Sequence, residues 1–301
     1  MGVPAAAAAS LPPGSYFSWS FSASKQVLIV PDGEVTISET LSLGAGCGGI
    51  ACATPGGRCR ISWAGEGPAI HLNGDGTGFD GTIENVMLEL KGAKSDGVKI
   101  GQNVHDGAGT AKSAQATLIN FEIRGGRYGV HLVAGQICRL DRLCIFGADV
   151  AVFFDDALYD SHGQVGNVAC LVQMCRFERC RVGIDLEAGY HVTVSDCVIQ
   201  QCSQEAIRAL PIVHAVKQLT VRDCYFELNN DGRRGNDGAV YGQCNFGLGV
   251  VVKIVRGLFR QDGDRNYHIL YSASTTSLDV GAGADAPFFN DATGRNVLEL
   301  N

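Results

Sequence analysis

Three acidic residues have the spacing that glycoside hydrolysis requires. Glu178 and Glu227 take equivalent places in a repeated sequence pattern, two repeats apart, and Asp185 lies in the same repeat as Glu178. Hydrolysis needs one carboxyl group to protonate the leaving oxygen and another to activate water or attack the sugar. We therefore predict Glu178, Glu227 and Asp185 as catalytic candidates.

Four further residues are predicted to bind substrate, namely His131, Arg176, Arg208 and Tyr241. Aromatic rings cover the apolar faces of sugars, and guanidinium groups bond hydroxyls in directed pairs. A solvated face of mixed charge is the alternative interpretation. If the protein is a lyase instead, Arg208 beside Asp185 is the nearest match to a proton-abstracting base, but the several oxygen ligands of a calcium site are not evident.

No metal site and no cofactor are predicted. The sequence has no GxSxG, HExxH, phosphate-loop or dinucleotide motif in a suitable setting. Its 12 cysteines lack the CxxC pairs of zinc sites, and Cys175-x4-Cys180 recurs as Cys197-x4-Cys202. This placement predicts reduced, buried thiols acting as small hydrophobes, which favours assembly in a reducing cytosol.

Short strands in a repeat must position these residues. One motif has a mostly polar first residue and inward-facing second and fourth residues; it occurs at Asn85–Leu88, Asn120–Ile123, Asp141–Cys144, Met174–Phe177, Asp196–Ile199 and Asp223–Phe226. A second motif starts with a small residue followed by an apolar one; it occurs at Ala69–Leu72, Gly97–Ile100, Gly129–Leu132, Ala151–Phe154, Gly183–Leu186, Ala206–Ala209 and Ala239–Gly242. Two period-two strands per unit, with no long helical face, exclude a βαβ fold.

This repeat predicts an all-β fold, a single-stranded parallel β-helix (solenoid) of about ten coils. Coils stack at about 4.8 Å, so equivalent residues form columns along the axis. The predicted inward columns are Val86, Phe121, Arg142, Cys175, Cys197, Cys224 and Leu88, Ile123, Cys144, Phe177, Ile199, Phe226; the outward columns are His71, Lys99, His131, Phe153, Asp185, Arg208, Tyr241 and Glu89, Arg124, Glu178, Gln200, Glu227. Glu178 and Glu227 would then lie about 9.6 Å apart at the backbone, near the upper end of the roughly 6.5–9.5 Å of inverting pairs.

Composition excludes several classes of protein. Of the 301 residues, 46% are hydrophobic and 18% charged, so the chain can bury a core and is not disordered. No apolar run is long enough for a membrane helix, and no membrane insertion is predicted. A formal charge of −7 argues against a nucleic-acid partner.

The stretch 30–37, with its Val-Pro-Asp-Gly opening, and the following Ser38–Leu43 resemble the first coil of right-handed parallel β-helix proteins of the pectate-lyase-like superfamily. Within it, the sequence is most similar to bacteriophage tailspikes and polysaccharide depolymerases. The resemblance implies a homotrimer, contacts with other virion proteins, and a bacterial surface polysaccharide as ligand. We assign an N-terminal tail or docking segment (1–25), the β-helix (26–276) and a C-terminal capping segment (277–301).

Three functions remain open at this point. The first is a phage spike or tail protein, located in the virion after assembly in the host cytoplasm, that binds a surface polysaccharide and cleaves it by hydrolysis. The second is a purely structural virion component. The third is a free-standing, secreted polysaccharide lyase, for which Ala5–Ala9 and its surroundings make a poor export signal.

Overall fold

A computed structural model describes residues 18–22, 25–44, 46–73, 79–102, 114–155, 167–210, 216–229, 243–247, 250–255, 257–260, 269–271, 277–279, 288–290 and 296–298. These residues form strands β1 to β31, numbered along the chain, which join into three sheets. From β2 to β28 the chain visits sheets A, B and C in turn, and each strand from β2 to β26 pairs in parallel with the strand one coil later. The predicted parallel β-helix is confirmed.

Sheet A has 11 strands, in spatial order β1 (Ser18–Ser22), β2 (Lys25–Val30), β5 (Cys47–Cys52), β8 (Phe79–Glu84), β11 (Ala114–Ile119), β14 (Arg139–Asp141), β17 (Leu171–Gln173), β20 (Gly189–Ser195), β23 (Val216–Arg222), β26 (Val251–Val255) and β29 (Ser277–Asp279). Sheet B has nine, β3 (Gly33–Ile37), β6 (Cys59–Trp63), β9 (Val86–Leu90), β12 (Glu122–Arg124), β15 (Cys144–Phe146), β18 (Arg176–Glu178), β21 (Val198–Gln200), β24 (Tyr225–Glu227) and β27 (Leu258–Arg260). Sheet C has 11, β4 (Leu41–Leu43), β7 (Gly67–Leu72), β10 (Ser95–Ile100), β13 (Tyr128–Leu132), β16 (Val150–Phe154), β19 (Val182–Leu186), β22 (Ile207–Ala209), β25 (Cys244–Phe246), β28 (Ile269–Tyr271), β31 (Asn296–Leu298) and β30 (Phe288–Asn290).

The two ends of the solenoid depart from the parallel pattern. Strand β1 pairs antiparallel with β2, and β31 pairs antiparallel with both β28 and β30. Strand β1 lies inside the predicted N-terminal tail, and β29 to β31 lie inside the predicted capping segment. The part of the chain that the structure describes contains no helix with the length and hydropathy of a membrane span.

The core is a single hydrophobic cluster that runs the length of the coils. On sheet C, alternate residues point inward and are fully buried, as in the column Ile70, Val98, Val130, Val152, Ile184 and Ile207. The glycine that opens the motif at Gly97, Gly129 and Gly183 has a steric cause. A Cβ on Gly129 would lie 2.6 Å from the carbonyl oxygen of Ala151 in the next coil, closer than real side chains approach.

The corner between sheets A and B corrects one predicted register. Residues at this corner adopt a left-handed backbone, including Asn85, Asn120 and Arg142, all with φ of 50–60°. Arg142, predicted to point into the core, therefore lies at the corner, where its Nε donates to Asn120 Oδ1 at 2.8 Å. Because the prediction was one residue out in this coil, Leu143 and Ile145, both fully buried, take the inward places assigned to Arg142 and Cys144.

The predicted cysteine column is confirmed. Cys175, Cys197 and Cys224 occupy equivalent places in successive coils, since Cys175 O accepts from Val198 N and Cys197 O accepts from Tyr225 N. The expectation of reduced thiols is wrong for Cys52 and Cys59, which form a disulfide. Strand β5 ends at Cys52 and β6 begins at Cys59, so the reversal between them brings the two Cα atoms to 5.6 Å. The other ten cysteines are free.

Ile137 is strained by its backbone. It has a φ of 55° and its side chain is 65% exposed. A left-handed conformation costs an L-residue about 1–2 kcal/mol, and β-branched residues are the least suited to it. Asparagine tolerates this region because its short polar side chain bonds locally.

We expect Ile137→Asn to raise the free energy of unfolding by about 1 kcal/mol, because the backbone strain is relieved while little buried apolar area is lost. Urea unfolding followed by circular dichroism measures the change. Ile137→Val keeps the branched Cβ and serves as the control. A variant no more stable than that control would show that the backbone at 137 carries no such cost.

The buried thiols make stability depend on alkaline pH. Burial raises the pKa of the Cys180 thiol to about 11 and also raises the pKa of Cys202 and Cys244. In the unfolded chain the same thiols ionise near pH 8.5. Their contribution to stability is therefore complete below about pH 8.5 and is lost as the pH rises toward the folded-state pKa.

We expect the free energy of unfolding to fall above pH 8.5 by up to about 1.4 kcal/mol per pH unit for each of these thiols. Urea unfolding at pH 8, 9 and 10 under reductant measures this slope. The triple variant Cys180→Ala, Cys202→Ala, Cys244→Ala should give a flatter slope, whatever its absolute stability. An identical slope in both proteins would contradict the assignment.

Candidate functional site

The predicted site residues lie on two different outer faces of the solenoid. Arg176, Glu178 and Glu227 are on sheet B, whereas His131, Asp185 and Arg208 are on sheet C. Tyr241 lies outside the described residues. The register of β22 and β25 places Asn245 next to Arg208.

On sheet B, the predicted column of Glu178, Gln200 and Glu227 is confirmed by the strand register. Both oxygens of Glu178 are engaged by guanidinium groups, Oε2 by Arg176 Nη2 at 2.7 Å and Oε1 by Arg179 Nε at 3.5 Å. The Glu178 side chain is only 11% exposed. A carboxylate held in this way is poorly placed to meet a leaving group, so the geometry favours a structural ion pair at this position.

On sheet C, the register aligns His131, Phe153, Asp185 and Arg208 in one outward column, as predicted. Arg208 donates two hydrogen bonds to Asp185, from Nε to Oδ1 at 3.0 Å and from Nη2 to Oδ2. The hydrogen bond with Asp185 is the main cause that raises the pKa of Arg208. Asp185 is buried, so this pair is rigid and its carboxylate is better suited to orienting a ligand than to exchanging protons.

His131 is bonded to an acidic residue that the sequence analysis did not select as catalytic. Its Nε2 lies 2.7 Å from Asp155 Oδ2, and Asp155 follows directly on strand β16. Both side chains are mostly but not fully buried, with exposed fractions of 12% and 21%. An imidazole bonded to a half-buried carboxylate is an arrangement that fixes the orientation of a group at the protein surface.

Three aromatic rings pack together beside this pair. Tyr128 stacks on Phe153 with the ring centroids 4.7 Å apart, and the His131 ring lies 4.9 Å from Tyr128 and 5.2 Å from Phe153. The guanidinium carbon of Arg127 lies 4.6 Å from the centroid of the Tyr128 ring. Phe153 is only 7% exposed and belongs to a small outer cluster with Val150 and Val182. The Phe153 ring therefore stacks within the protein.

Carboxyl groups gather around these rings. Asp155 and Glu187 hold equivalent places in adjacent coils, since Asp155 N donates to Leu132 O and Glu187 N donates to Phe154 O, each at 2.9 Å. Equivalent backbone positions in adjacent coils are about 4.8 Å apart. Burial, reinforced by Asp96, Asp155 and Glu187, raises the pKa of the Tyr128 phenol, which therefore remains a hydrogen-bond donor at neutral pH.

Glu205 extends the acidic group toward the next coil. It is buried; its Oε1 accepts from Asn245 Nδ2 at 3.0 Å, and its buried Oε2 has no hydrogen-bond partner among the described residues. We call Asp155, Asp185, Glu187 and Glu205 the sheet C carboxylates. Within the described ranges, no group of three or more His, Cys, Asp or Glu is arranged to hold a metal ion.

Asp155 and Glu187 were missed as a pair for a definable reason. The sequence motifs ended at Phe154 and Leu186, the last residues of β16 and β19. The residue that follows each strand continues the same register, so the alignment of Phe153 with Asp185 already implied that of Asp155 with Glu187. Extending each motif by one residue would have found the pair.

Known proteins share the fold of this chain at low sequence identity. No curated protein is recognisably similar in sequence. A solved catalytic domain of a GH87 alpha-1,3-glucanase in complex with tetrasaccharides is similar, with a TM-score of 0.52 and 10% identity over 83% of this chain. This chain spans about half of that domain's length, 52%. PfbA, a surface adhesin of Streptococcus pneumoniae, is 10% identical over 91% of each chain, with a TM-score of 0.33.

The family comparison covers more than half of the chain. The family model described as right handed beta helix region matches residues 48–251, which include every strand from β6 to β25. The resemblance inferred from the Pro-Asp-Gly strand and the repeats thus holds for the fold. The similarity to bacteriophage tailspikes is not shown by these comparisons. This chain belongs to the right-handed β-helix family.

Proposed function

We propose that this protein is a phage spike or tail protein that binds a bacterial surface polysaccharide on the outer face of sheet C and hydrolyses its glycosidic bonds there. We further propose that it works as a homotrimer attached to other virion proteins. The similarity to a glucanase domain extends to the fold alone, so the proposal is drawn from the side chains of this chain. It is also compatible with that neighbour, a glucanase catalytic domain bound to tetrasaccharides.

The pairing of Asp155 with Glu187 is the observation that carries the proposal. The two residues occupy the same place in adjacent coils, about 4.8 Å apart at the backbone. Retaining glycosidases place their two carboxyl groups roughly 5–5.5 Å apart, and inverting enzymes roughly 6.5–9.5 Å. Adjacent backbone positions allow the two carboxyl groups to reach the shorter of these separations, so we propose a retaining reaction.

In this reaction one carboxyl group donates its proton to the glycosidic oxygen as the bond to the anomeric carbon breaks, and the other attacks that carbon. Water then hydrolyses the glycosyl–enzyme ester, assisted by the first group acting as base. His131 orients Asp155 through the 2.7 Å hydrogen bond. The Tyr128 phenol and the Asp185–Arg208 pair offer a donor and fixed charges to sugar hydroxyls.

We expect Asp155→Asn and Glu187→Gln each to lower the rate of reducing-end formation from a cleaved capsular or O-antigen polysaccharide by at least 100-fold, because each removes one of the two required carboxyl groups. The isosteric changes keep the hydrogen-bonding shape, and circular dichroism verifies the fold. The assay also follows absorbance near 235 nm, which rises only if a lyase forms an unsaturated product.

Glu178→Gln and Glu227→Gln are the matched controls on sheet B, and they test the pair that the sequence favoured. These variants should retain activity. Activity lost in the sheet B variants and kept in Asp155→Asn would return the reaction to sheet B. If the protein binds polysaccharide but forms no reducing ends, hydrolysis is excluded. If it neither binds nor cleaves polysaccharide, the result favours a purely structural virion component.

A further inference from the structure

An open groove of about 750 Å³ follows the corner between sheets B and C across several coils. Its charged lining residues are four cations, Lys91, Arg127, Arg179 and Arg181, and one carboxylate, Asp149. Asp96 and Glu178 pair with Arg127 and Arg179 from beside the groove and Asp149 pairs with Arg181, so Lys91 is the local excess cation on a chain with a formal charge of −7. Such an excess in a concave surface attracts anions.

Glycines open the space for this groove. Gly92, Gly126 and Gly147 lie at the corner, and the last two have φ of 80° and 67°. A Cβ on Gly126 would lie 2.6 Å from the carbonyl oxygen of Ser95, so no larger residue fits there. The corner therefore stays free of side chains at these positions while the cations stand at its sides.

Carboxylates and amides outside or beside the groove hold three of the cations in place. Arg127 bonds bidentately to the buried Asp96 at 2.9 and 2.7 Å, and Arg181 bonds to Asp149 at 2.6 and 2.9 Å. Arg179 Nε donates to Gln201 Oε1 at 3.1 Å, and its side chain is 74% exposed. Guanidinium groups fixed in this way recognise planar anions at a low entropic cost.

The groove lies at the start of the sheet C strands, at the opposite end of these strands from Asp155 and Glu187, and side-chain contacts connect the two. Arg127 lines the groove and also lies over the ring of Tyr128, the neighbour of His131 and Phe153. Arg181 interacts electrostatically with Asp185 and Arg208 of the sheet C column. One polysaccharide chain bound at the sheet C carboxylates can therefore also reach the cations at the corner.

We propose that this groove binds the anionic groups of an acidic polysaccharide, such as the carboxylates of uronic acid units. The inference rests on the proposed function and adds the substrate class to it. A nucleic acid fits less well, because no aromatic residue lines the groove to stack on bases.

The test uses two pools of immobilised bacterial capsular and O-antigen polysaccharides, one acidic and one neutral, with a single-stranded DNA oligonucleotide as a third ligand. We expect the intact protein to retain members of the acidic pool, with an affinity that falls as salt is raised. The double variant Lys91→Gln, Arg179→Gln should bind them at least tenfold more weakly, about tenfold being typical for one lost charged hydrogen bond. Gln201 shows that glutamine is accommodated at the corner position of Arg179 in the next coil.

The control variant Lys253→Gln, Arg142→Gln removes the same charge away from the groove, since Lys253 is exposed on strand β26 of sheet A and Arg142 has the same left-handed backbone as Arg179. It should bind like the unchanged protein. Three results would each overturn the inference: retention of neutral polysaccharides, an equal loss of binding in both double variants, or preferential binding of DNA. The first two leave the proposed function standing, and the third replaces it. Failure to retain any polysaccharide in either pool would instead overturn the proposed function, and this inference with it.

Discussion

Parallel hydrogen bonding between successive coils is the interaction on which the rest of this structure depends. Each strand offers its N–H and C=O groups to the strand one coil later, so a residue is fixed next to its counterpart rather than next to its sequence neighbours. The size and polarity of each side chain must therefore suit the column of equivalent residues in which it lies. The inward columns of sheet C are fully buried aliphatic residues, and its small-residue column leaves room for the next coil's carbonyl oxygen.

The same constraint organises the polar side chains outside. The bonds His131–Asp155, Arg208–Asp185, Arg127–Asp96 and Arg181–Asp149 all join residues one coil apart. Each ties two coils together on the surface, as the buried cysteines do in the core. Since these contacts run along the axis, the outer face of sheet C and its neighbouring corner form one continuous rigid surface. That rigidity is what a site for an extended polymer requires.

The sequence was sufficient to predict the columns but not every register. The period-two motifs identified the strands of sheets B and C, and the cysteine spacing aligned three coils correctly, because these residues repeat in type. The predicted register of the coil at Asp141–Cys144 was wrong by one residue. Here the corner residue is a long cation, Arg142, instead of the Asn or Asp of most other coils, and the pattern does not show whether Arg142 or Leu143 faces inward. The ion pairs of Glu178 and the covered ring of Tyr128 depend on side-chain directions that no spacing records. The Cys52–Cys59 disulfide depends on a local reversal between two sheets.

The reversed strand β1 at the N-terminal edge of sheet A disfavours end-to-end stacking of copies of the chain at that edge. A solenoid of parallel coils is in principle an open-ended template, because its terminal strands present unpaired backbone groups to any chain of the same kind. Strand β1 runs opposite to β2 and is the edge strand of sheet A, so a second copy that stacks on sheet A there meets a strand of the wrong polarity. Head-to-tail stacking in register is thereby discouraged.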